Sequence, residues 1–154
     1  MPRRYWLMKS EPEECSIDDA LAAPASTIPW TGVRNYQARN LLRDDLQAGD
    51  GVLFYHSSCA VPGIAGIAEV VGEPFPDPTQ FDPGSPYFDK GSKPEAPRWV
   101  AVRVRALRKT RLLPITELRG KKALAGMRLL QKGNRLSVSE VALAEWKAIL
   151  KMLD

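Results

Sequence analysis

The chain has one histidine and two cysteines among 154 residues. A single histidine excludes any reaction or metal site that needs two. His56-x-x-Cys59 could offer two ligands, but the remainder would have to come from Cys15 or carboxylates, a poor set for structural zinc. No metal and no cofactor are therefore expected. Two cysteines make no disulfide framework. No apolar run approaches the roughly 20 residues that span a bilayer, so no membrane partner is expected. The opening Met-Pro-Arg-Arg-Tyr-Trp-Leu-Met-Lys lacks the apolar core of a signal peptide, and a reduced, cytoplasmic setting is the expectation. A Walker-type loop and a GxGxxG loop are also missing. Gly63-x-x-Gly66 lies within an apolar stretch and reads as a close approach of another backbone rather than a phosphate cradle.

What is present is an apolar fraction of 44% over a length that suits one domain, 1–154, with a real core. The net charge of +4 conceals segregation. From Arg98 to Arg135 there are twelve Lys or Arg and one acid, Glu117, a net of +11, whereas residues 1–97 carry a net of −6. Two readings stay open: a phosphate-facing surface that includes Arg103 and Arg105, or ordinary solvated charge pointing in several directions.

Tyr5 to Lys9 reads as a first strand, and Ser16-Ile-Asp-Asp19 as the capped start of a short helix ended by Pro24. Ala38, Leu41, Leu42 and Leu46 have helical spacing, which predicts a helix from Arg34 to Leu46 with Trp30-Thr-Gly-Val in a loop before it. Val52 to His56 and Ile64 to Val71 read as neighbouring strands. Glu73 to Pro97 holds seven of the thirteen prolines and is neither strand nor helix. Its four aromatics, Phe75, Phe81, Tyr87 and Phe88, argue for a packed loop, a lid or binding element. Arg98 to Lys109 resumes as a strand, with Val100, Val102, Val104 and Ala106 on one face and Arg103 and Arg105 on the other. Short helical stretches are expected at Ile115 to Leu118 and Leu124 to Leu130. Ser137-Val-Ser-Glu140 reads as a capping box that opens a last helix, with Trp146 in its apolar stripe. This order predicts an α+β chain, a small curved sheet or barrel with helices at its edges.

The chemistry concentrates in Trp30 to Asn40, where aromatics, side-chain amides and guanidiniums surround Gly32. That mixture suits a flat ligand with polar edges, such as an extruded or single-stranded base stacked on an aromatic face. Trp30, Val33, Asn35 and Tyr36 carry this reading, while Arg34 and Arg39 serve either phosphates or the surface. Lys9-Ser10-Glu11 ends the first strand, where polar side chains project into clefts. His56 with Tyr55 and Ser57 forms a second strand end suited to hydrogen bonding, and a nucleophile activated by an adjacent histidine is disfavoured because strand neighbours face opposite ways. Arg135 and Ser137 supply a cation and a hydroxyl, unless Ser137 is only a helix cap.

Tyr5-Trp-Leu-Met-Lys-Ser-Glu-Pro12, Trp30 to Asn40, Phe54-Tyr-His-Ser57, Pro62 to Val70, Pro97-Arg-Trp99 and Gly133-Asn-Arg-Leu-Ser-Val138 together resemble the EVE domain. The resemblance runs over almost the whole chain. It implies a PUA-like fold, a bent mixed β-barrel with short peripheral helices, related to the YTH and ASCH domains. It further implies a non-catalytic pocket for a modified base in DNA or RNA, lined by Ser10, the loop from Trp30 to Tyr36, Tyr55, His56, Ser57 and the corner Arg135, Leu136 and Ser137. Lys9, Arg34, Arg39, Arg103 and Arg105 would then meet phosphates. Two rival functions remain: a hydrolase acting on a modified nucleoside through Lys9, Glu11 or His56, by analogy with ASCH proteins, and a protein-interaction module with a basic face.

Overall fold

The computed structural model describes residues 3–153. Six strands form one mixed sheet: β1 (Tyr5–Ser10), β2 (Thr27–Trp30), β3 (Gly51–His56), β4 (Gly63–Pro76), β5 (Val100–Pro114) and β6 (Val138–Val141). Their order is β2-β5-β4-β3-β1-β6. Among the described residues only β1 with β3 is parallel, in register from Tyr5 opposite Gly51 to Ser10 opposite His56. The architecture is α+β. Among the described residues β2 and β6 share no ladder, so the expected barrel stands here as an open sheet.

Four helices flank the sheet: α1 (Ile17–Ala22), α2 (Tyr36–Asp44), α3 (Ile115–Arg119) and α4 (Leu143–Leu153). Ser16 caps α1 through the expected box, accepting from Asp19 N–H while the Asp19 carboxylate accepts from Ser16 N–H. Asn35 caps α2, its side-chain oxygen accepting from Ala38 N–H.

The alternation along β1 and β3 sorts their side chains onto two faces. Trp6, Met8, Val52 and Phe54 join α1, α2, Trp30, Val102 and Val104 in one cluster. Leu7, Leu53 and Tyr55 join Leu113, α3 and α4 in the other, with Trp146 buried as the apolar stripe requires. Strands covered on both faces read as continuous apolar runs, which is why β3 shows no polar alternation. On β5, Val102, Val104 and Ala106 are buried while Arg103 and Arg105 face outward, as the sequence predicts.

Four local expectations change. β4 and β5 run further than their sequences suggest, because each ladder extends the other as far as Pro76 opposite Val100 and Gly63 opposite Pro114. Trp30, expected in a loop, ends β2, whose edge pairs with β5 from Thr27 to Trp30. Leu124 to Leu130 is two single 3-10 turns, Lys122–Leu124 and Arg128–Leu130, rather than a helix. Ser137 to Glu140 opens no helix: Val138–Val141 pairs antiparallel with β1. The last helix begins five residues later than the box implies, with Glu145 accepting from Ala142 N–H.

The Gly63 and Gly66 positions do admit close backbone neighbours. A Cβ at Gly63 would lie 2.4 Å from the carbonyl oxygen of Leu113, backbone that cannot swing aside. Gly63→Ala should lower stability by about 1–3 kcal/mol, read as a reduced urea midpoint at unchanged m-value.

Candidate nucleic-acid interface

The ends of β1, β2 and β3 and the proline-rich loop enclose a cleft of about 700 Å³, within the range of small-molecule sites. Lys9 and Ser10 come from β1, Ile28 to Trp30 from β2 and Ser57 from the end of β3, while Thr31 to Val33 form its floor. Tyr87 closes the opposite wall. Arg135 and Ser137 stand at one rim.

The wall depends on Gly32. Its φ is +83°, and a Cβ there would fall 2.7 Å from the Tyr87 ring, so only glycine permits both the turn and the contact. The Tyr87 hydroxyl donates to the Glu14 carboxylate, 2.6 and 2.7 Å from its two oxygens. Burial and then this carboxylate push the phenol up to about 12. Beneath lies Asp77, whose side chain is fully buried. It accepts from Gly32 N–H at 2.8 Å, Arg34 Nη1 at 3.0 Å, Thr79 N–H at 2.8 Å and Thr79 Oγ1 at 2.6 Å. Burial alone would raise this carboxyl, but these donors together hold it below the ordinary range.

Of the expected base contacts, Ser10, Trp30, Val33, Ser57, Arg135 and Ser137 do line the cleft. Several are already engaged within the protein. Ser10 Oγ donates to the Cys15 carbonyl at 2.7 Å. Trp30 is 5% exposed and packs edge-on against Phe54, so its role is partly core. Asn35 spends its oxygen on the cap of α2, and with Leu136 it lines a neighbouring groove rather than the cleft. Tyr36 stacks on Trp99 at 4.9 Å, with Arg39 over its ring. Tyr55 points into the other cluster, beneath Lys9. His56 Nε2 accepts from Ile17 N–H at 3.1 Å. Burial first lowers its pKa, Asp18 opposes and Lys109 adds, which keeps the imidazole a neutral acceptor at neutral pH.

Of the expected phosphate contacts, Lys9 lines the cleft, its pKa lowered by burial. Arg34 is locked against Asp77, the Tyr87 carbonyl and Thr79. Arg39 donates to Asn40 and the Arg98 carbonyl. Arg103 lies over Phe75 at 4.2 Å, and Arg105 is paired with Glu69. None of these last four faces the cleft.

Sequence reasoning missed Tyr87, Glu14 and Asp77. Tyr87 was visible only as one aromatic among four in a loop. Its partners lie far away in sequence, and no local pattern marks Asp77 as the buried acid.

The model of the EVE domain family matches residues 4–152. The chain belongs to this family. Thymocyte nuclear protein 1 of Homo sapiens is 46% identical over 125 residues, which cover 75% of this chain and 55% of that protein. The chain thus spans about half the length of the first curated relatives it matches. A crystal structure of a Pseudomonas putida protein is 44% identical with a TM-score of 0.92, covering 97% of this chain and 99% of that one. The crystal structure of human THYN1 protein in complex with 5-methylcytosine-containing DNA is 38% identical, with a TM-score of 0.92 over 98% of each chain.

Replacing Asp77 by Asn should cost roughly 3 kcal/mol at pH 7, the low end for a broken buried pair because Arg34 keeps 22% exposure. A carboxyl depressed in the folded state stabilises above its unfolded pKa and loses that contribution as pH falls. The gap between parent and Asp77→Asn should therefore begin to close below about pH 4, measured by urea unfolding across a pH series.

Proposed function

We propose that the protein is a non-catalytic nucleic-acid-binding module whose cleft holds a modified base, with 5-methylcytosine in DNA as the leading ligand. The carrying observation is the cleft itself: an apolar interior of Trp30, Val33 and Ile28, walled by Tyr87, with hydroxyls and cations at the rim. Such a lining stacks a base and reads its polar edge. The human relative captured with 5-methylcytosine-containing DNA supports the choice of ligand.

The groups a hydrolase would recruit are poorly disposed. His56 already accepts a backbone donor. Burial, then Asp19 and Glu14, push the Cys15 thiol up, away from the nucleophilic thiolate. Glu11 and Glu14 at the cleft also disfavour a phosphate inside it, whereas carboxylates accept well from an exocyclic amine. The two cysteines are free, which suits a reducing compartment such as the cytoplasm or the nucleus.

Stacking is worth about 1–3 kcal/mol per base and a buried methyl about 0.8 kcal/mol, so the preference for methylated over plain DNA should be several-fold. Titration of matched oligonucleotides at fixed salt measures it. Trp30→Phe, which preserves most of the core packing, should weaken both and narrow the ratio. Equal affinities of the parent for the two would overturn the reading.

A further inference from the structure

The basic segment splits into two parts that the sequence does not distinguish. Along β5 and its approach, Arg98 pairs with Asp89 at 3.1 Å, Lys109 with Asp18 at 3.0 Å, and Arg111 with Glu117 at 2.9 Å. Arg105 pairs with Glu69. Beyond β5, by contrast, Arg128, Lys132 and Arg135 form no ion pair among the described residues, and all three are exposed. They line a groove of about 360 Å³ between the N-terminus of α2 and the chain preceding β6. Arg135 also lines the cleft, so the groove and the cleft meet at that side chain.

Three further features suit the groove to an anion. Among the described residues no acid lines it, whereas the cleft carries Glu11 and Glu14. The Asn134 side-chain oxygen accepts from Leu136 N–H, which orients the amide and leaves its buried Nδ2 as a donor without a partner. Such a group is costly unless something accepts from it. Asn35 and Gln37 at the start of α2, nine residues long, also line it, which brings the positive end of the helix dipole to the groove. The segment is held firmly, with Met127 and Leu129 buried and Gln131 Nε2 donating to the Met127 carbonyl. Its cations are presented on a fixed base.

We propose that this groove binds the phosphodiester backbone adjoining the base seated in the cleft, with Arg128, Lys132 and Arg135 as cations and Asn134 Nδ2 as a neutral donor. The proposal rests on the base-binding reading for the placement of the strand. Division of labour follows from charge: the acid-bearing cleft takes the base, and the acid-free groove takes the phosphates.

The test uses the full chain, with methylated and unmodified oligonucleotides titrated by fluorescence anisotropy over a salt series. The double variant Arg128→Gln/Lys132→Gln should weaken both ligands alike, keep their ratio, and lower the slope of log affinity against log salt by about 0.7 per lost contact on single strands or about 0.9 on duplex. The double variant Lys147→Gln/Lys151→Gln, an equal charge change at exposed positions of α4, should leave the slope unchanged. An unaltered slope in a double variant with the parent's circular dichroism overturns the groove and leaves the base reading standing. A lowered slope in a protein whose parent shows no preference for methylated DNA supports the groove and overturns the base reading. No binding by the parent overturns both.

Discussion

The buried carboxylate of Asp77 sets the shape on which the rest of the site depends. It gathers donors from the loop after β2, from the residue preceding the cap of α2, and from the start of the proline-rich loop. Arg34, held by that carboxylate, in turn donates to the Tyr87 carbonyl at 2.7 Å. Tyr87 can then press its ring on Gly32 and its hydroxyl on Glu14. A loop with several prolines has little conformational entropy to lose, and one hydrogen-bonded acid suffices to fix its direction. A second anchor, Gln80, is buried and bonds to the carbonyls of Asp77 and Trp99. Together they convert a long irregular segment into a rigid wall.

The sheet provides the other half of that constraint. Parallel pairing of β1 with β3 brings Ser10 and His56 to the same level, and the antiparallel ladder of β2 with β5 places Trp30 beside Val102. Residues at the ends of these three strands consequently line one cleft. The cleft lies where the cluster that holds Trp30, Val33 and Ile28 reaches the surface, which explains an apolar interior beneath a polar rim. Lys9 illustrates the transition: its stem is half-buried and its ammonium lies 6.0 Å from the Tyr55 ring centroid, with its pKa lowered by burial.

Much of the fold was legible because strand alternation and helix caps are local signals. β1, β3, α1 and the core face of β5 follow from their own residues. The failures share a cause in long-range pairing. Ser137 to Glu140 satisfies the local pattern of a capping box, yet β1 offers it a full antiparallel ladder and tertiary pairing wins over local preference. Leu124 to Leu130 has apolar spacing suited to a helix, but Gly126 interrupts it and the segment closes as separate turns. At the site, motif and strand-end logic brought Val33, Ser57 and Arg135 to one cleft, whereas Trp30 was expected in a loop and ends a strand instead. The partners of Arg34, Arg103 and Arg105 could not, because an arginine's sequence neighbours do not reveal which distant acid or ring it meets.

The polar motif residues largely serve the protein's own walls. Ser10, Asn35, His56 and Arg34 look like ligand contacts by composition, yet each has a partner within the chain: the Cys15 carbonyl, the Ala38 amide, the Ile17 amide and Asp77. Redirecting any of them to a ligand would leave a backbone group or a buried charge unsatisfied, at a cost comparable to the hydrogen bond gained. Their chemistry is therefore spent on the walls. On the proposed function, selectivity for a base comes from the shape those walls impose on Trp30, Val33 and Tyr87, and from groups lining the cleft such as Ser57, Ser137 and Arg135. Under that proposal the site discriminates by fit, since a methyl group either fills an apolar niche or leaves it empty, and the proposed groove adds affinity from cations outside the niche, where they do not compete with the fit.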